Sequence, residues 1–230
     1  MNSFLEEMAM PAKMKLTHVD LLRLFDSPEY AEIAKGFKEQ RYAKKTIVCT
    51  PYDEGNRLFI VKSGRLRVFL SYEDREFTLA LLEPGDIFST HTRAFAEALE
   101  ESVVLLGNTL QFQQKIVESP EITLVMVKVL GELLKNSITI IEGLAFKDAR
   151  QRLLDFLVSA TEDRGQLHPE GVSVELGLTT EEIALLVGTT RQTISTLLND
   201  LIKSEVLEKL DRRTLLIRDI ALLQDWNSLS

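Results

Sequence analysis

The sequence predicts an α+β fold: an N-terminal β domain, then a long helix, then a small helical module at the C-terminus. Three observations lead to this prediction. Short apolar runs fill residues 45–108, a helical stretch without proline follows up to about Lys147, and two capping signals begin at Thr179 and Thr189. The 230 residues are 45% hydrophobic, which is enough to bury a core without a disulfide or metal.

Composition excludes several classes of protein. The single cysteine, Cys49, excludes a disulfide framework and a four-cysteine zinc or iron–sulfur site built from this chain. No apolar run reaches the ~18–20 residues that span a bilayer, and MNSFLEEMAM lacks the basic start of a secretory signal. We therefore expect a cytoplasmic protein with no membrane partner. The net charge of −8 argues against coating of nucleic acid, but it leaves room for a local basic surface.

Residues 45–108 predict an antiparallel sandwich or jelly roll, because segments rich in Val, Ile, Leu and Phe recur about every ten residues. The clearest of these segments are KTIVCT, RLFIVKS, RLRVFLS and EFTLALL. Turn residues separate them at 51–55, Ser63-Gly64, 72–75 and Pro84-Gly85. Ahead of the strands, residues 19–40 indicate helix, with a break at Pro28.

A long helix is predicted from Pro120 to about Lys147, because Ser119 suits the N-cap and proline suits the first helical position. The helix carries two apolar stripes, which require two partners. A coiled-coil seam with a second copy accounts for one stripe, and burial within a single chain is the alternative. The expected dimer seam is Met126, Val129, Leu133 and Ile140, and the second stripe is Val127, Leu130, Leu134, Ile138 and Ile141.

Residues 179–201 carry a helix-turn-helix pattern. Thr179 and Glu182 form a capping box before a short apolar helix, Gly188 supplies a turn, and Thr189 begins a second box with Gln192. The second helix of such a motif lies in the DNA major groove and its first residues reach base edges. An ordinary helical hairpin is the alternative. The candidate DNA-binding residues, all of types that bind base edges or phosphate, are Thr190, Arg191, Gln192, Ser195 and Thr196.

The segment EVLEKLDRRTLLIRD, which follows this helix, predicts two strands around a basic turn, a wing suited to contact phosphate. From Gly188 to Arg218 there are six basic and four acidic residues, and six minus four gives +2 against −8 for the whole chain. The basic charge is therefore local, as expected of a DNA-reading module on an acidic protein.

This order of parts, with SGRLRV at 63–68 and EPGDIF at 83–88, resembles the CRP/FNR superfamily of dimeric transcription regulators. The resemblance covers nearly the whole chain. It implies a cyclic-nucleotide-binding-like β-roll at 1–118, a dimerisation helix at 119–147 and a winged helix-turn-helix at 148–230. It also implies a homodimer, a near-palindromic double-stranded DNA operator, RNA polymerase as a partner, and activation as the direction of regulation.

The segment DIFSTHTRAF at 86–95 indicates the effector class. It lacks the Gly-Glu pair with which cyclic-nucleotide members hold phosphate. Together with KSGRLRV, KDAR at 147–150 and RQT at 191–193, it resembles the CooA family, the haem-containing carbon monoxide sensors. That resemblance implies one haem b per subunit, CO as the effector and His91 as a ligand of ferrous iron. It also implies a haem pocket on the long helix at Val127, Leu130, Gly131 and Leu134.

The second iron ligand in this family is the N-terminal amine of the partner subunit, which CO displaces. MPAKMKLT at 10–17 lines up with the start of the family, so we expect translation to begin at Met10 and Pro11 to supply the amine. A start at Met1 would place the amine on a longer arm. Members that change ligand with redox state carry cysteine two residues before the histidine, where this chain has Ser89. We therefore expect no thiolate on ferric iron.

Two residues have an alternative explanation. Gly131 costs the helix roughly 1 kcal/mol relative to alanine, and close approach to a planar cofactor explains it as well as a kink or close helix packing. Cys49 is expected to be a small buried residue unless its strand faces the haem.

Two other functions stay open. One is a superfamily regulator of another effector without haem, in which His91 is structural. The other is a haem enzyme or carrier with a vestigial DNA module. We expect no hydrolase, because the three histidines, His18, His91 and His168, form no catalytic cluster with sensible spacing.

Overall fold

The computed structural model describes residues 21–25, 34–53, 57–90, 92–118 and 120–226. It divides into two units, and the boundary between them lies inside the long helix, between Lys135 and Asn136. Within the described ranges, no helix combines the length and the apolar character needed to cross a bilayer. The predicted α+β class is confirmed.

The first unit is a β-roll followed by helices. Its described strands form two four-stranded antiparallel sheets, in the orders β1-β8-β3-β6 and β2-β7-β4-β5. The strands are β1 Lys38–Tyr42, β2 Ile47–Cys49, β3 Arg57–Ser63, β4 Leu66–Tyr72, β5 Arg75–Leu82, β6 Ile87–Ser89, β7 Phe95–Ala98 and β8 Ser102–Asn108. Helix α1 is Leu21–Phe25, α2 is Thr109–Glu118 and α3 is Pro120–Phe146.

The core of the roll lies between the two sheets. Phe59 and Val61 of β3 pack there with Leu66 and Val68 of β4, whereas Leu58 packs on the other side of its sheet. A strand buried on both faces has a continuous apolar sequence, which explains why RLFIVKS shows no alternation.

Glycine is required at the turn between β3 and β4. Gly64 has φ +80°, and a Cβ at this position would lie 2.3 Å from Ser102 Oγ. The turn predicted at Ser63-Gly64 is therefore confirmed by the structure, because only glycine fits both the backbone conformation and the space.

The predicted helix over residues 19–40 is wrong at its C-terminal end. Lys38–Tyr42 is strand β1 and pairs with β8 from Lys38–Leu106 to Tyr42–Ser102. The segment KEQRY is mostly exposed and has no apolar alternation, so its sequence gives no strand signal. Backbone hydrogen bonds to β8 stabilise this strand, whose side chains bury little surface. The break predicted at Pro28 lies outside the described residues.

Helix α3 begins at Pro120, as predicted, and three of the four residues of its first apolar stripe are buried or pack against buried clusters of its own chain. Val129 is 3% exposed. Met126 packs against the cluster of Leu58, Phe112 and Ile122, and Leu133 packs against the core between the sheets. Val129 therefore has almost no exposed surface in the single chain, and the β-roll also contacts Met126 and Leu133. The predicted dimer seam stays a prediction. Apolar residues at alternating intervals of four and three identify a stripe on a helix but not the partner that covers it. The place of Ile140 in a dimer seam also stays a prediction.

The second unit is a winged helix. After α4 come a hairpin, two short helices, a wing and a final helix. The elements are α4 Ala149–Arg164, β9 Gln166–His168, β10 Gly171–Glu175, α5 Thr180–Val187, α6 Arg191–Lys203, β11 Leu207–Lys209, β12 Thr214–Ile217 and α7 Ile220–Asp225. The described strands form one sheet in the order β11-β12-β10-β9. The two strands predicted around a basic turn are confirmed as β11 and β12.

Candidate functional site

The first helix of the helix-turn-helix begins and ends as its sequence predicts. The hydroxyl of Thr179 accepts from the N–H of Glu182 at 3.2 Å, and the Glu182 carboxylate accepts from the N–H of Thr179 at 2.6 Å. Gly188 ends the helix in the left-handed conformation, with φ 71° and ψ 47°, and donates to Ala184 O. The predicted capping box and the glycine turn are both confirmed.

The second helix begins one residue later than predicted. Its N-cap is Thr190, whose hydroxyl oxygen accepts from the N–H of Thr193 at 3.1 Å. The predicted box of Thr189 with Gln192 is wrong, because either threonine of the pair can act as a cap and the turn uses the second one. The hydroxyl of Thr190 is therefore engaged in the cap, and the Gln192 side chain is not part of it.

The other candidate DNA-binding residues lie on the exposed face of α6. Ile194 and Leu201 are fully buried on the opposite face and fix the helix against the domain. The Thr196 hydroxyl donates to Gln192 O at 3.1 Å, so its oxygen keeps the capacity to accept. The residues exposed on this face are Arg191, Gln192, Ser195 and Thr196. Their roles toward DNA stay predictions.

A basic cleft of ≈140 Å³ lies between α6 and the wing. Ser195 and Asn199 of the helix line one side of it, and Lys209, Arg212 and Arg213 of the wing line the other. Leucine and isoleucine side chains also line it. Sequence reasoning missed Asn199; its spacing of four residues from Ser195 places it on the same helix face.

The wing turn presents two arginines. One oxygen of Asp211, Oδ1, accepts from the N–H of Arg213 at 2.6 Å and of Thr214 at 2.9 Å. The hydrogen bond from the Arg213 backbone lowers the pKa of Asp211, which keeps the carboxylate charged and the turn closed. Arg212 and Arg213 are exposed at this turn. The turn therefore holds cationic side chains beside the recognition helix, where phosphate would lie.

Arg218, by contrast, is neutralised by the protein itself. Its Nη2 lies 2.6 Å from the Glu208 carboxylate and 3.6 Å from the Glu170 carboxylate. The hydrogen bond to Glu208 raises the pKa of Arg218 above its usual value. The local charge of +2 counted from the sequence therefore comes from the other basic residues of this module.

Both predicted iron ligands, His91 and Pro11, lie outside the described residues, but the residues on either side of His91 are held by hydrogen bonds. Thr90 is 8% exposed, and its N–H and hydroxyl both donate to Arg57 O at 3.0 Å. The Thr92 hydroxyl donates to Ser89 O at 3.3 Å. These bonds tie the end of β6 and the following turn to the rim of the β-roll.

The residues predicted to form the haem pocket lie on an exposed apolar face of α3. Val127, Leu130 and Leu134 are 61%, 64% and 63% exposed. A Cβ added at Gly131 would meet nothing within 4 Å. Packing within the described chain therefore does not require glycine there. An exposed apolar helix face with free space at a glycine could contact one side of a planar apolar group such as haem.

Cys49 is a core residue of the β-roll. It is 2% exposed and packs among the apolar side chains between the sheets. Burial raises the pKa of the thiol to about 11. The expectation of a small buried residue is confirmed.

Comparisons with known proteins agree with this architecture. Residues 39–119 match the cyclic nucleotide-binding domain and residues 151–226 match the Crp-like helix-turn-helix domain. A double mutant of CooA from Carboxydothermus hydrogenoformans is 55% identical, with a TM-score of 0.89 over 93% of this chain and 98% of that one. The chain belongs to the CRP/FNR superfamily of transcription regulators.

Two further relatives show the range of the superfamily. The reduced, Fe(II) CO-sensing protein from R. rubrum is 33% identical, with a TM-score of 0.52 over 90% of this chain and 98% of that one. The cyclic AMP receptor protein from Thermus thermophilus is 27% identical over 86% of this chain and 93% of its own length. Within the superfamily the chain is thus similar to CooA, at about twice the identity that it shares with the cyclic AMP receptor.

Proposed function

We propose that this chain is a CO-responsive, haem-dependent, dimeric transcription regulator that acts as an activator. The observation that supports the proposal most strongly is the 55% identity to CooA, which extends over 93% of the chain. The exposed helix face around Gly131 supports it independently, because nothing in the described chain covers a face that is apolar and open.

One haem b per subunit would be held by residues of two parts of the chain. His91 and the N-terminal amine of Pro11 from the partner subunit are the proposed iron ligands. Val127, Leu130 and Leu134 supply an apolar wall, and Gly131 allows close approach. The haem, when bound, would supply an iron position at which CO replaces the amine. Ser89 offers no thiolate, so a cysteine-ligated ferric form is not expected.

The same helix face supplies the surface for a second copy. Leu134, Ile138 and Ile141 are 63%, 55% and 63% exposed, and they continue the stripe beyond the haem-facing residues. Pairing of this stripe across a two-fold axis buries it, as an alternative to the seam predicted at Val129. The proposed haem wall and dimer seam therefore share Leu134, so a change at one alters the packing of the other.

DNA binding follows from the winged helix of a dimer. Two α6 helices would enter successive major grooves ~34–36 Å apart on a near-palindromic operator, with RNA polymerase as the further partner. Moving such a switch from mostly off to mostly on requires about 5.5 kcal/mol of differential binding. Exchange of one iron ligand in each of two subunits would have to supply energy of this order.

The absorption spectrum of the haem-loaded protein tests the proposal. Ferrous protein is expected to show a six-coordinate low-spin spectrum that shifts when CO is added. His91→Ala is expected to lose stoichiometric haem or this ferrous spectrum. His168→Ala is the matched control, because His168 lies in the β9–β10 hairpin, where its Nδ1 accepts from Glu170 N–H at 3.3 Å. Failure of the wild-type protein to bind haem stoichiometrically would contradict the gas-sensor proposal and leave a regulator of another effector.

A further inference from the structure

Arg152 of helix α4 connects two helix ends through three hydrogen bonds. Its Nη1 donates to Lys147 O at 2.6 Å, just beyond the end of α3. Its Nε donates to Val187 O at 2.7 Å and its Nη2 donates to Gly188 O at 3.2 Å. The last two carbonyls belong to the turn that leads into recognition helix α6. One side chain thus contacts both the end of the long helix and the start of the DNA-reading element.

Arginine suits this position for two reasons. The last carbonyls of a helix have no partner within the helix and carry partial negative charge, so a cation near them is stabilising. The planar guanidinium also presents several N–H donors at fixed angles, so it can serve acceptors on two elements at once. A lysine ammonium has the charge but not this fixed plane.

The neighbouring contacts leave Arg152 little freedom to move. Lys147 Nζ lies 2.8 Å from the Asp155 carboxylate, and Asp148 caps α4 through Gln151. A Cβ at Gly143 would lie 3.7 Å from Arg152 Cδ, so the stem of the arginine runs beside the last turn of α3. The short link between α3 and α4 therefore cannot shift without displacing the guanidinium.

The turn between α5 and α6, which Arg152 contacts, is fixed by a left-handed glycine and by backbone hydrogen bonds. Gly188 is left-handed, and the N–H groups of Gly188 and Thr189 both donate to Ala184 O. Thr190 then caps α6. Displacement of the Val187 and Gly188 carbonyls moves this turn and, with it, the first residues of the recognition helix.

We propose that Arg152 is a positioning residue that couples the end of the long helix to the start of the recognition helix. The role of Arg152 in the response to CO rests on the proposed function. Its hydrogen bonds to the turn at Val187 and Gly188 do not depend on that function. Any effector signal that reaches the end of α3 would be passed by this side chain to the orientation of α6.

Amide hydrogen exchange of the full-length protein tests the hold on the turn. Arg152→Lys and Arg152→Gln are expected to speed exchange of Gly188 and Thr189 by about three- to tenfold, with the core of the domain unchanged. Arg150→Lys is the matched control, because Arg150 lies on the same helix and stacks on Trp226 at 4.4 Å. Far-ultraviolet circular dichroism reports whether each variant keeps its folded domain.

The second readout is operator affinity measured with and without CO. Arg152→Lys is expected to reduce the ratio of the two affinities about fivefold or more, while Arg150→Lys keeps it. The proposal would be overturned if the Arg152 variants exchanged Gly188 and Thr189 at the wild-type rate. It would also be overturned if their exchange were faster by the same factor throughout the domain. If the wild-type protein itself shows no CO-dependent ratio, the proposed function fails, and exchange at the turn alone decides the role of Arg152.

Discussion

At the scale of single residues, the cap of helix α6 fixes where the exposed face of the helix begins. Thr190 uses its hydroxyl in the cap, so Arg191 and Gln192 are the first exposed residues of the helix. The pair of threonines at 189 and 190 made the position of the cap ambiguous in the sequence by one residue. The pairing of Arg218 with Glu208 and Glu170 was likewise hidden, because those residues meet only in the folded sheet.

Arg191 is expected to read a base. Replacement with alanine should cost about 1–3 kcal/mol at the cognate operator and much less on random DNA, because a bidentate contact to guanine is lost. Competition binding at fixed salt measures both affinities. Arg218→Ala is the control: because Arg218 pairs with Glu208, its loss should cause no preferential loss at the operator, and any weakening should be equal on both DNAs. If Arg191→Ala lost the same affinity on the operator and on random DNA, Arg191 would contact phosphate and not a base.

Cys49 is expected to resist alkylation in the folded protein. Its pKa of about 11 keeps it a neutral thiol at pH 8, and only the thiolate reacts. Because the folded pKa is raised, the stability that this group contributes is complete below about pH 9 and is lost as the pH rises toward 11. Iodoacetamide labelling at pH 8 should follow the rate of unfolding. Labelling of the native protein at the rate of a free cysteine would contradict the burial.

At the scale of elements, the apolar pattern of the sequence predicted the helices and strands that have a buried face. The strands with buried faces, such as β3 and β4, and both helices of the helix-turn-helix were predictable. Strand β1 was not, because an exposed edge segment such as KEQRY is held by backbone pairing alone. The two stripes of α3 were visible, but the partner of each depends on contacts remote in sequence, so the burial of Val129 within its own chain was not predictable.

Gly131 offers a test of the open helix face. Gly131→Ala should stabilise the haem-free protein by up to about 1 kcal/mol, because the added methyl meets nothing and helix propensity improves. The same methyl should weaken haem binding if the cofactor lies on this face. Gly143→Ala is the control on the same helix, where the added Cβ makes only ordinary contact with Arg152. Unchanged haem affinity for Gly131→Ala, measured by titration, would place the cofactor elsewhere.

At the scale of the whole molecule, two modules of different chemistry are joined by one helix. The β-roll packs against one stripe of α3, and the stripe beside it is exposed in the described chain, where the proposed cofactor and second copy would bind. The winged helix concentrates basic residues at α6 and the wing of an otherwise acidic chain. An acidic body with a local basic face limits non-specific association and leaves recognition to the operator.

Control of DNA binding by CO through haem is the core of the proposed function. The operator affinity of ferrous, haem-loaded protein should be measured with and without CO, using a sequence selected from random DNA at constant salt. We expect binding at least about 100-fold tighter with CO, to half-sites one helical turn apart. Equal affinity in the two states, from protein whose haem demonstrably binds CO, would mean that CO does not control DNA binding.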